Sequence, residues 1–169
     1  MRTGIALGSN VGDRLNSLSR ARRSVLAIPS VAEPVLSSSL YETEPVDAPP
    51  GSGNFLNAVL EVEYQGDPAV LLKALQQIEE AMGRPSVRAL NSPRVVDLDI
   101  LYCGENQTSD PILTIPHPRM HLRRFVLLPL AEIRPELCLP GMSANIQELL
   151  ARVVDPTEAK RAFQQWELH

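Results

Sequence analysis

Two carboxylates interrupt an apolar segment near the middle of the chain. The segment "RVVDLDILYC", residues 94–103, has the composition of a buried strand, yet it carries Asp97 and Asp99. Residues two apart on a strand point to the same face, and their Cα atoms lie roughly 6.6 Å apart. Paired carboxylates of this kind are natural ligands for a hard divalent cation such as Mg²⁺. Taken alone, the pair fits a metal site or an ordinary ion-pair network on a sheet face.

Cations gather on both sides of this strand in the sequence. Arg94 begins the segment. Strict alternation would place it on the face opposite the aspartates, but its position at the strand start, after Pro93, would allow it to reach around to them. The loop in front of it holds Arg84 and Arg88. The stretch "IPHPRMHLRRF" then supplies His117, Arg119, His121, Arg123 and Arg124. Carboxylates beside arginines favour a polyphosphate site, because Mg²⁺ bridges phosphate oxygens and arginine neutralises charge. For any single cation here, the alternative is a solvated surface residue.

Few aromatic residues are present, so each one is informative. Aromatic residues make up 4% of the chain, and Phe55 and Phe125 flank separate loops. Such rings either stack on a flat heterocycle or pack in the core, and the residues alone leave both options open. Asn57 lies close to Phe55 in the sequence and offers a donor and an acceptor to the edge of a heterocycle.

The elements that must position these groups occur in the order βαββαβ. A strand in "TGIALGSN" leads to a helix that Asp13 caps. An extended segment, 32–43, is followed by a strand with one buried face in 54–64. A second helix, with Asp67 as its N-cap, precedes the aspartate strand. This order predicts a ferredoxin-like α+β fold, in which two helices pack on one face of an antiparallel sheet.

The remainder of the chain adds smaller elements to this core. A turn with a short hairpin strand is expected in 105–117, and two further helices are expected in 125–133 and 143–153. The tail, 155–169, is expected to form a helix that packs Phe163 and Trp166 on the body. The predicted fold is therefore a ferredoxin-like core with extra C-terminal helices.

Length, composition and charge are those of one globular domain. The chain has 169 residues, 44% of them hydrophobic and 21% charged, which predicts a single domain over residues 1–169. The net charge of −4 argues against a nucleic-acid partner. The opening "MRTGIALGSN" has no features of a secretory leader, and no apolar run reaches the roughly 20 residues of a membrane helix. We expect a cytoplasmic monomer, with no membrane partner and with small-molecule substrates.

Six segments together resemble the 6-hydroxymethyl-7,8-dihydropterin pyrophosphokinase family of folate biosynthesis. They are "ALGSNVGDR", "SSLYETEPV", "FLNAV", "QQIEEAMGR", "PRVVDLDIL" and "IPHPRMHLRRFVLLPLAEI". They occur in the family's order, and the last two are highly specific as a pair. The resemblance implies a ferredoxin-like fold and Mg²⁺-dependent transfer of pyrophosphate from ATP to the pterin's hydroxymethyl oxygen, with release of AMP. ATP is then a co-substrate, and two Mg²⁺ ions are the expected cofactors.

The resemblance also implies a role for each matching residue. The metal ligands would be Asp97 and Asp99, and the catalytic set would add Arg84, Arg94 and His117. The pterin side would consist of Thr43, Val46, Phe55, Asn57 and Phe125. The ATP side would consist of Gln76, Glu79, Arg84, Arg94, Ile100, Thr114, His117 and Arg123. Two loops, 44–54 and 84–93, are expected to close over the site and exclude water.

The chain departs from the family pattern in the second of these loops. Asn91 and Ser92 stand where the family commonly has Trp-Gly, and Ser86 stands where it often has a basic residue. Arg88 is a candidate to replace that charge from a shifted position. We therefore expect slower turnover or a higher ATP requirement.

Two other functional hypotheses remain open on the sequence. One is a non-catalytic ferredoxin-like module that binds nucleotide or RNA, although an aromatic RNA-binding strand is lacking. The other is a different Mg²⁺-dependent phosphoryl or nucleotidyl transferase. Product identity separates the enzymes, because pyrophosphoryl transfer releases AMP, simple kinase action releases ADP, and nucleotidyl transfer releases pyrophosphate.

Overall fold

An antiparallel sheet of six strands organises the residues that the computed structural model describes, 1–45, 50–83 and 93–166. The strands, in chain order, are β1 (Arg2–Ser9), β2 (Val31–Ser37), β3 (Leu40–Thr43), β4 (Phe55–Tyr64), β5 (Asp97–Cys103), β6 (Thr108–Ser109), β7 (Thr114–Ile115) and β8 (Ala159–Phe163). The main sheet has the order β5-β1-β4-β3-β8, and β2 also pairs with β4. Strands β6 and β7 form a separate hairpin, as predicted for 105–117.

Four α-helices occur in the described residues, and they confirm four of the five predicted helical segments. They are α1 (Arg14–Leu26), α2 (Pro68–Ala81), α3 (Arg124–Ile133) and α4 (Ile146–Arg152). The predicted caps are present, since the side chain of Asp13 accepts from the Asn16 N–H and that of Asp67 from the Ala69 N–H. None of these helices has the length and apolar composition needed to cross a membrane.

The helices cover both faces of the sheet, so the structure is a mixed α/β layer arrangement. Leu18 of α1 and Leu71 of α2 belong to one core cluster, together with Ile5 of β1. Leu127 of α3 and Ile146 of α4 belong to a second cluster on the other face. The sheet is therefore the central layer, and Thr43, Phe55 and Asp97 lie at the ends of its strands.

Both faces of β4 are buried, which corrects the expectation of one buried face. Leu60 and Val62 belong to the core beneath α1 and α2, whereas Val59 belongs to the core beneath α3. Glu61, which alternation would place on a solvated face, is only 3% exposed. The physical reason is that α3 packs over this face, so a polar residue in the alternating pattern marks a buried ion pair and not solvent.

Two further expectations about extended segments are wrong. Segment 32–43 is not one strand, because β2 ends at Ser37 and β3 begins at Leu40. The tail is not a helix, because β8 pairs antiparallel with β3 and completes that edge of the sheet. Trp166 does pack on the body, with its indole N–H donating to the Ser38 carbonyl at 2.8 Å. Phe163 does not, since it is 39% exposed on the edge strand.

Glu61 is the centre of a buried polar cluster on the α3 face. The Tyr102 hydroxyl donates to its Oε2 at 2.5 Å, and Arg134 Nε lies 3.2 Å from the same oxygen. Arg2 Nη1 lies 3.8 Å from Oε1. Burial, and next the hydrogen bond to Glu61, raise the pKa of Tyr102, so the phenol remains a protonated donor.

Glu61→Ala should lower the free energy of unfolding by about 3 kcal/mol, because it leaves Tyr102 and Arg134 without their buried acceptor. Urea unfolding measures this loss. The matched control is Glu63→Ala on the same strand, where the partly exposed carboxylate lies 2.9 Å from the Met1 ammonium and 3.9 Å from Arg2 Nε. That change should cost under about 1 kcal/mol. Equal losses for the two variants would contradict the account of Glu61.

Candidate active site

The register of the sheet places Asn57, Gly8 and Asp97 side by side on three adjacent strands, and this set is here called the row. Gly8, near the end of β1, pairs with Asn57 on β4 and with Asp97 on β5. Direct partners point to the same face, so Asn57 and Asp97 face the same side. Adjacent strands are roughly 4.8 Å apart, which puts the two backbones roughly 10 Å apart. Gly8 leaves the space between them open, since a Cβ there would lie 3.1 Å from Asn57 Oδ1.

Asp97 and Asp99 share one face of β5, as their spacing predicts. Both are partly exposed, whereas Leu98 between them is 4% exposed and belongs to the core beneath α1 and α2. The Leu98 N–H donates to Oε1 of the buried Glu79 on α2 at 2.8 Å. This hydrogen bond joins β5 to α2, so both carboxylates project from a strand that is held in place.

Arg94 reaches the aspartates although alternation predicts the opposite face. Strand β5 begins at Asp97, so Arg94 lies before the strand and is not bound by its alternation. Its Nη1 donates to Asp97 Oδ2 at 2.7 Å. Its backbone is held by Asn10, whose N–H donates to the Arg94 carbonyl at 3.1 Å and whose Oδ1 accepts from the Arg94 N–H at 2.7 Å. Sequence analysis missed this role of Asn10, and the only signal was its place at the end of "GSN".

Arg123 and His117 belong to the same electrostatic cluster. Burial, and next the charge of Arg119, lower the pKa of Arg123, while Asp99 and Asp97 act in the opposite direction. Burial also lowers the pKa of His117 to about 4, with Arg123 and Arg119 adding to the shift. The structure therefore brings together a cation set and the two carboxylates, a composition that suits a bound triphosphate.

His117 should be a neutral hydrogen-bond donor in the ligand-free protein. The Arg119 N–H donates to its Nδ1 at 3.2 Å, so the ring hydrogen is on Nε2. Because its folded-state pKa of about 4 lies below 6.5, the unfolded state binds the proton first as pH falls. Its contribution to stability is complete above pH 6.5 and is lost as pH falls towards 4.

An imidazole NMR titration measures the pKa of His117 directly, and the neutral Nε2–H tautomer should persist below pH 6.5, into the interval between that value and 4. His117→Gln should flatten the acid-side decline in unfolding free energy over the same range. A His117 titration midpoint near 6.5 would contradict the assignment.

Three of the predicted pterin residues, Thr43, Phe55 and Asn57, lie on β3 and β4, and a fourth, Phe125, lies on α3. Thr43 pairs with Phe55 across these strands, and Asn57 Nδ2 donates to Thr43 Oγ1 at 2.7 Å. This bond fixes the orientation of the amide and turns its oxygen towards Gly8. Phe125 is the second residue of α3, and the Arg123 guanidinium carbon lies 5.5 Å from its ring centroid. Both phenylalanines are partly exposed, which leaves ring surface for a ligand.

Comparison with known proteins identifies the chain's relatives. Residues 4–135 match the family model described as 7,8-dihydro-6-hydroxymethylpterin-pyrophosphokinase (HPPK). The chain belongs to the HPPK family. The 2-amino-4-hydroxy-6-hydroxymethyldihydropteridine pyrophosphokinase of Haemophilus influenzae is 38% identical over 151 residues, 89% of this chain and 92% of that protein. The pyrophosphokinase of the same description from Bacillus subtilis is 40% identical over 152 residues, 88% and 87% of the two chains.

A solved structure shows the same fold at low sequence identity. The HPPK-DHPS of Plasmodium falciparum superposes with a TM-score of 0.68 at 17% identity. The match covers 89% of this chain and 42% of that longer one. This likeness concerns the fold, and it agrees with a mixed α/β structure built on a mostly antiparallel sheet.

The residues predicted on the ATP side of this HPPK chain differ in how far they are exposed to solvent. Glu79 is buried against Leu98, and Gln76 is exposed one turn earlier on α2. Ile100 is 3% exposed in the core, so any contact with a nucleotide would come from its backbone. Thr114 is partly exposed on β7. The predictions for Val46, Arg84, Ser86, Arg88, Asn91 and Ser92 fall outside the described residues.

The carboxylate pair suits Mg²⁺ better than a metal that needs a closed protein cage. Among residues 1–45, 50–83 and 93–166, no group of three or more His, Cys, Asp or Glu side chains forms a metal cluster. Mg²⁺ is typically held by one or two carboxylates, and substrate phosphates and waters complete its shell. Asp97 and Asp99 are oxygen donors on one face, so the donor set fits such an ion.

Proposed function

We propose that the chain transfers pyrophosphate from ATP to the hydroxymethyl oxygen of 6-hydroxymethyl-7,8-dihydropterin, releasing AMP in folate biosynthesis. Membership of the HPPK family supports this function. The observation that carries it to particular residues is the row Asn57, Gly8, Asp97, with Arg94 bonded to Asp97 at 2.7 Å. This row joins a side chain suited to a heterocycle edge with a side chain suited to a metal–phosphate group.

The reaction forms one bond and breaks one bond. The pterin's hydroxymethyl oxygen bonds to the β-phosphorus of ATP, the bond from that phosphorus to the α–β bridging oxygen breaks, and the hydroxyl proton is released. Asp97 and Asp99 would hold Mg²⁺, two ions on the family resemblance, which supplies charge neutralisation on the triphosphate. Arg94 and Arg123 would stabilise the charge that develops on the phosphate oxygens.

His117 would donate from Nε2 to a phosphate oxygen, because its Nδ1 accepts from the Arg119 N–H. A neutral imidazole can donate this hydrogen bond, and because it carries no charge it does not compete with other cations for the carboxylates of Asp97 and Asp99. Gln76 and Glu79, together with the backbone of Ile100 and the side chain of Thr114, are proposed to face the nucleotide. Arg84 is proposed to contact the triphosphate from its loop.

On the other side of the row, Phe55 and Phe125 would stack on the two faces of the pterin ring. Asn57 would hydrogen-bond the ring edge through its fixed amide, with Thr43 and the backbone of Val46 completing the pocket. Because Asn57 is already locked by Thr43 at 2.7 Å, little rotamer freedom is lost when the pterin binds.

We also propose that residues 1–169 form one pyrophosphokinase domain with a ferredoxin-like core. The strand order β5-β1-β4-β3 supports the core arrangement, and pairing of β8 with β3 supports inclusion of the tail. A monomer in the cytoplasm, without a nucleic-acid partner, stays a prediction from composition.

The test is a nucleotide-product assay with purified protein, ATP, Mg²⁺ and 6-hydroxymethyl-7,8-dihydropterin. AMP that forms only when pterin and metal are both present supports the proposal. ADP would indicate simple kinase action, and free pyrophosphate would indicate nucleotidyl transfer. Nucleotide binding without turnover, in folded protein with intact pterin, would favour a binding module.

A further inference from the structure

The C-terminal segment 155–166, here called the strap, contacts both walls of the proposed pterin pocket. It lies beyond residues 4–135, the part that matches the HPPK family model. Its strand β8 pairs with β3, where Ala159 is the partner of Thr43. Its first residue, Asp155, contacts the start of α3, next to Phe125. The strap therefore connects the element that carries Phe125 with the strands that carry Thr43 and Asn57.

Helix α3 lacks a capping side chain from its own segment. Arg123 occupies the N-cap position and makes no side-chain cap bond. The Arg124 N–H donates instead to Asp155 Oδ2 at 2.8 Å, and Arg124 Nε donates to the Asp155 carbonyl at 3.3 Å. A carboxylate at a helix N-terminus is also stabilised by the helix dipole. The direction of the first turn of α3, which carries Phe125, thus depends on a residue of the strap.

Asp155 is itself held in one orientation. Its Oδ1 accepts from the Thr157 N–H at 2.9 Å while Oδ2 accepts from Arg124. Burial alone would raise the pKa of Asp155, but the hydrogen bonds from Thr157 and Arg124 lower it below its ordinary value. The carboxylate is therefore charged at neutral pH and makes both bonds at once.

A second tie between α3 and β3 lies further along the strap. The Tyr41 hydroxyl of β3 donates to Oε2 of Glu132 on α3 at 2.9 Å. Arg161 of β8 lies over the Tyr41 ring, 5.9 Å from its centroid, and 3.9 Å from Glu132 Oε1. Four chain steps separate Asp155 from Ala159 and span at most about 14 Å. The strap thus limits the distance between the start of α3 and the Thr43 end of β3.

We propose that Asp155 is a positioning residue of the pterin pocket, which holds the first turn of α3 so that Phe125 faces the wall formed by Phe55 and Asn57. This inference rests on the proposed function, because it takes Phe125 to be a pterin-stacking residue. Asp155 acts through Phe125 and does not touch the substrate.

The test compares pterin affinity and ATP affinity in Asp155→Ala. With a non-hydrolysable ATP analogue and Mg²⁺ present, the dissociation constant of the pterin should rise about fivefold. This factor corresponds to the stability that a helix usually loses when its capping side chain is removed. The KM for ATP should change less than the pterin affinity, because Arg123, at the N-cap of α3, is only one of several residues proposed to hold the triphosphate. The matched control is Glu158→Ala in the strap, whose exposed carboxylate pairs with Lys160 at 3.1 Å. That variant should bind pterin as the unmodified protein does.

A double-mutant cycle separates positioning from general destabilisation. In a Phe125→Ala background, Asp155→Ala should cause no additional loss of pterin affinity, since its effect passes through that ring. Asp155→Asn keeps one acceptor and should give an intermediate loss, which provides a result if the alanine variant does not fold. Additive losses, or equal losses for pterin and ATP, would overturn the inference.

The outcomes also separate this inference from the proposed function. If the unmodified protein forms AMP but Asp155→Ala binds pterin normally, the inference alone fails. If the unmodified protein binds pterin and forms no AMP, the proposed function fails and the affinity cycle still decides the role of Asp155. If it neither binds pterin nor forms AMP, both fail.

Discussion

An Asp97→Asn variant is expected to lose about 10³-fold in kcat/KM, the scale of several kcal/mol of metal-borne charge stabilisation. The amide has the size of the carboxylate but not its charge, so the metal is held less strongly. Arg94 also loses the ionic partner that now lies 2.7 Å away. Asp97 is partly exposed at the start of β5, so the substitution removes no core packing. The loss should therefore appear without a matching fall in melting temperature.

The matched control for this prediction is Asp67→Asn. Asp67 is the N-cap of α2, and asparagine is an equally good cap, so activity and stability should both stay near those of the unmodified protein. Initial rates of AMP formation over a range of Mg²⁺ concentrations provide the measurement. Full activity of Asp97→Asn at low Mg²⁺ would rule out Asp97 as a metal ligand.

An Arg94→Ala variant is expected to lose on the order of 10²-fold in kcat, the usual cost of removing one preorganised donor at a site of developing charge. Arg94 is tied to Asp97 through its side chain and to Asn10 through its backbone. Its guanidinium is therefore fixed before ATP binds. The KM for the pterin should change little, because Asn57 and Phe55 lie on β4, whereas Arg94 precedes β5.

Arg94→Lys separates charge from geometry, since lysine keeps the charge but not the planar fork. We expect it to recover only part of the lost rate. The matched control is Arg20→Ala on the exposed face of α1, which should leave kcat unchanged. If Arg94→Ala raised the KM for ATP and left kcat intact, Arg94 would contribute equally to ground-state and transition-state binding, and the role proposed for it would be wrong.

The helices could be predicted because their signals are local. Asp13 and Asp67 cap α1 and α2 through hydrogen bonds within three residues of themselves, so the sequence around each cap is sufficient. The burial of Glu61 could not be predicted in this way. Its partners, Tyr102 and Arg134, are supplied by β5 and by the end of α3, far along the chain. An alternating pattern reports period, and only the tertiary layer decides whether the polar face meets water.

The structure of the tail could not be predicted from its own sequence either, because it depends on another strand. Residues 159–163 form a strand because β3 presents an open edge whose main-chain groups need partners. That need is a property of β3 and not of the tail's own composition. Strict alternation fails for Arg94 for a third reason, because alternation applies only within a strand and β5 begins after it. The prediction that Asp97 and Asp99 share one face is confirmed, because both residues lie inside the strand.

Strand β5 forms one border of the main sheet, and such borders can recruit strands from other molecules. Two of the proposed site residues lie along this border. Glu79 accepts from the Leu98 N–H at 2.8 Å, and the His117 N–H donates to the Leu101 carbonyl at 2.8 Å. These contacts occupy main-chain groups that would otherwise template intermolecular association. Substitutions at Glu79 chosen for nucleotide chemistry therefore also affect colloidal behaviour, and light scattering should accompany every such assay before lost turnover is assigned to chemistry.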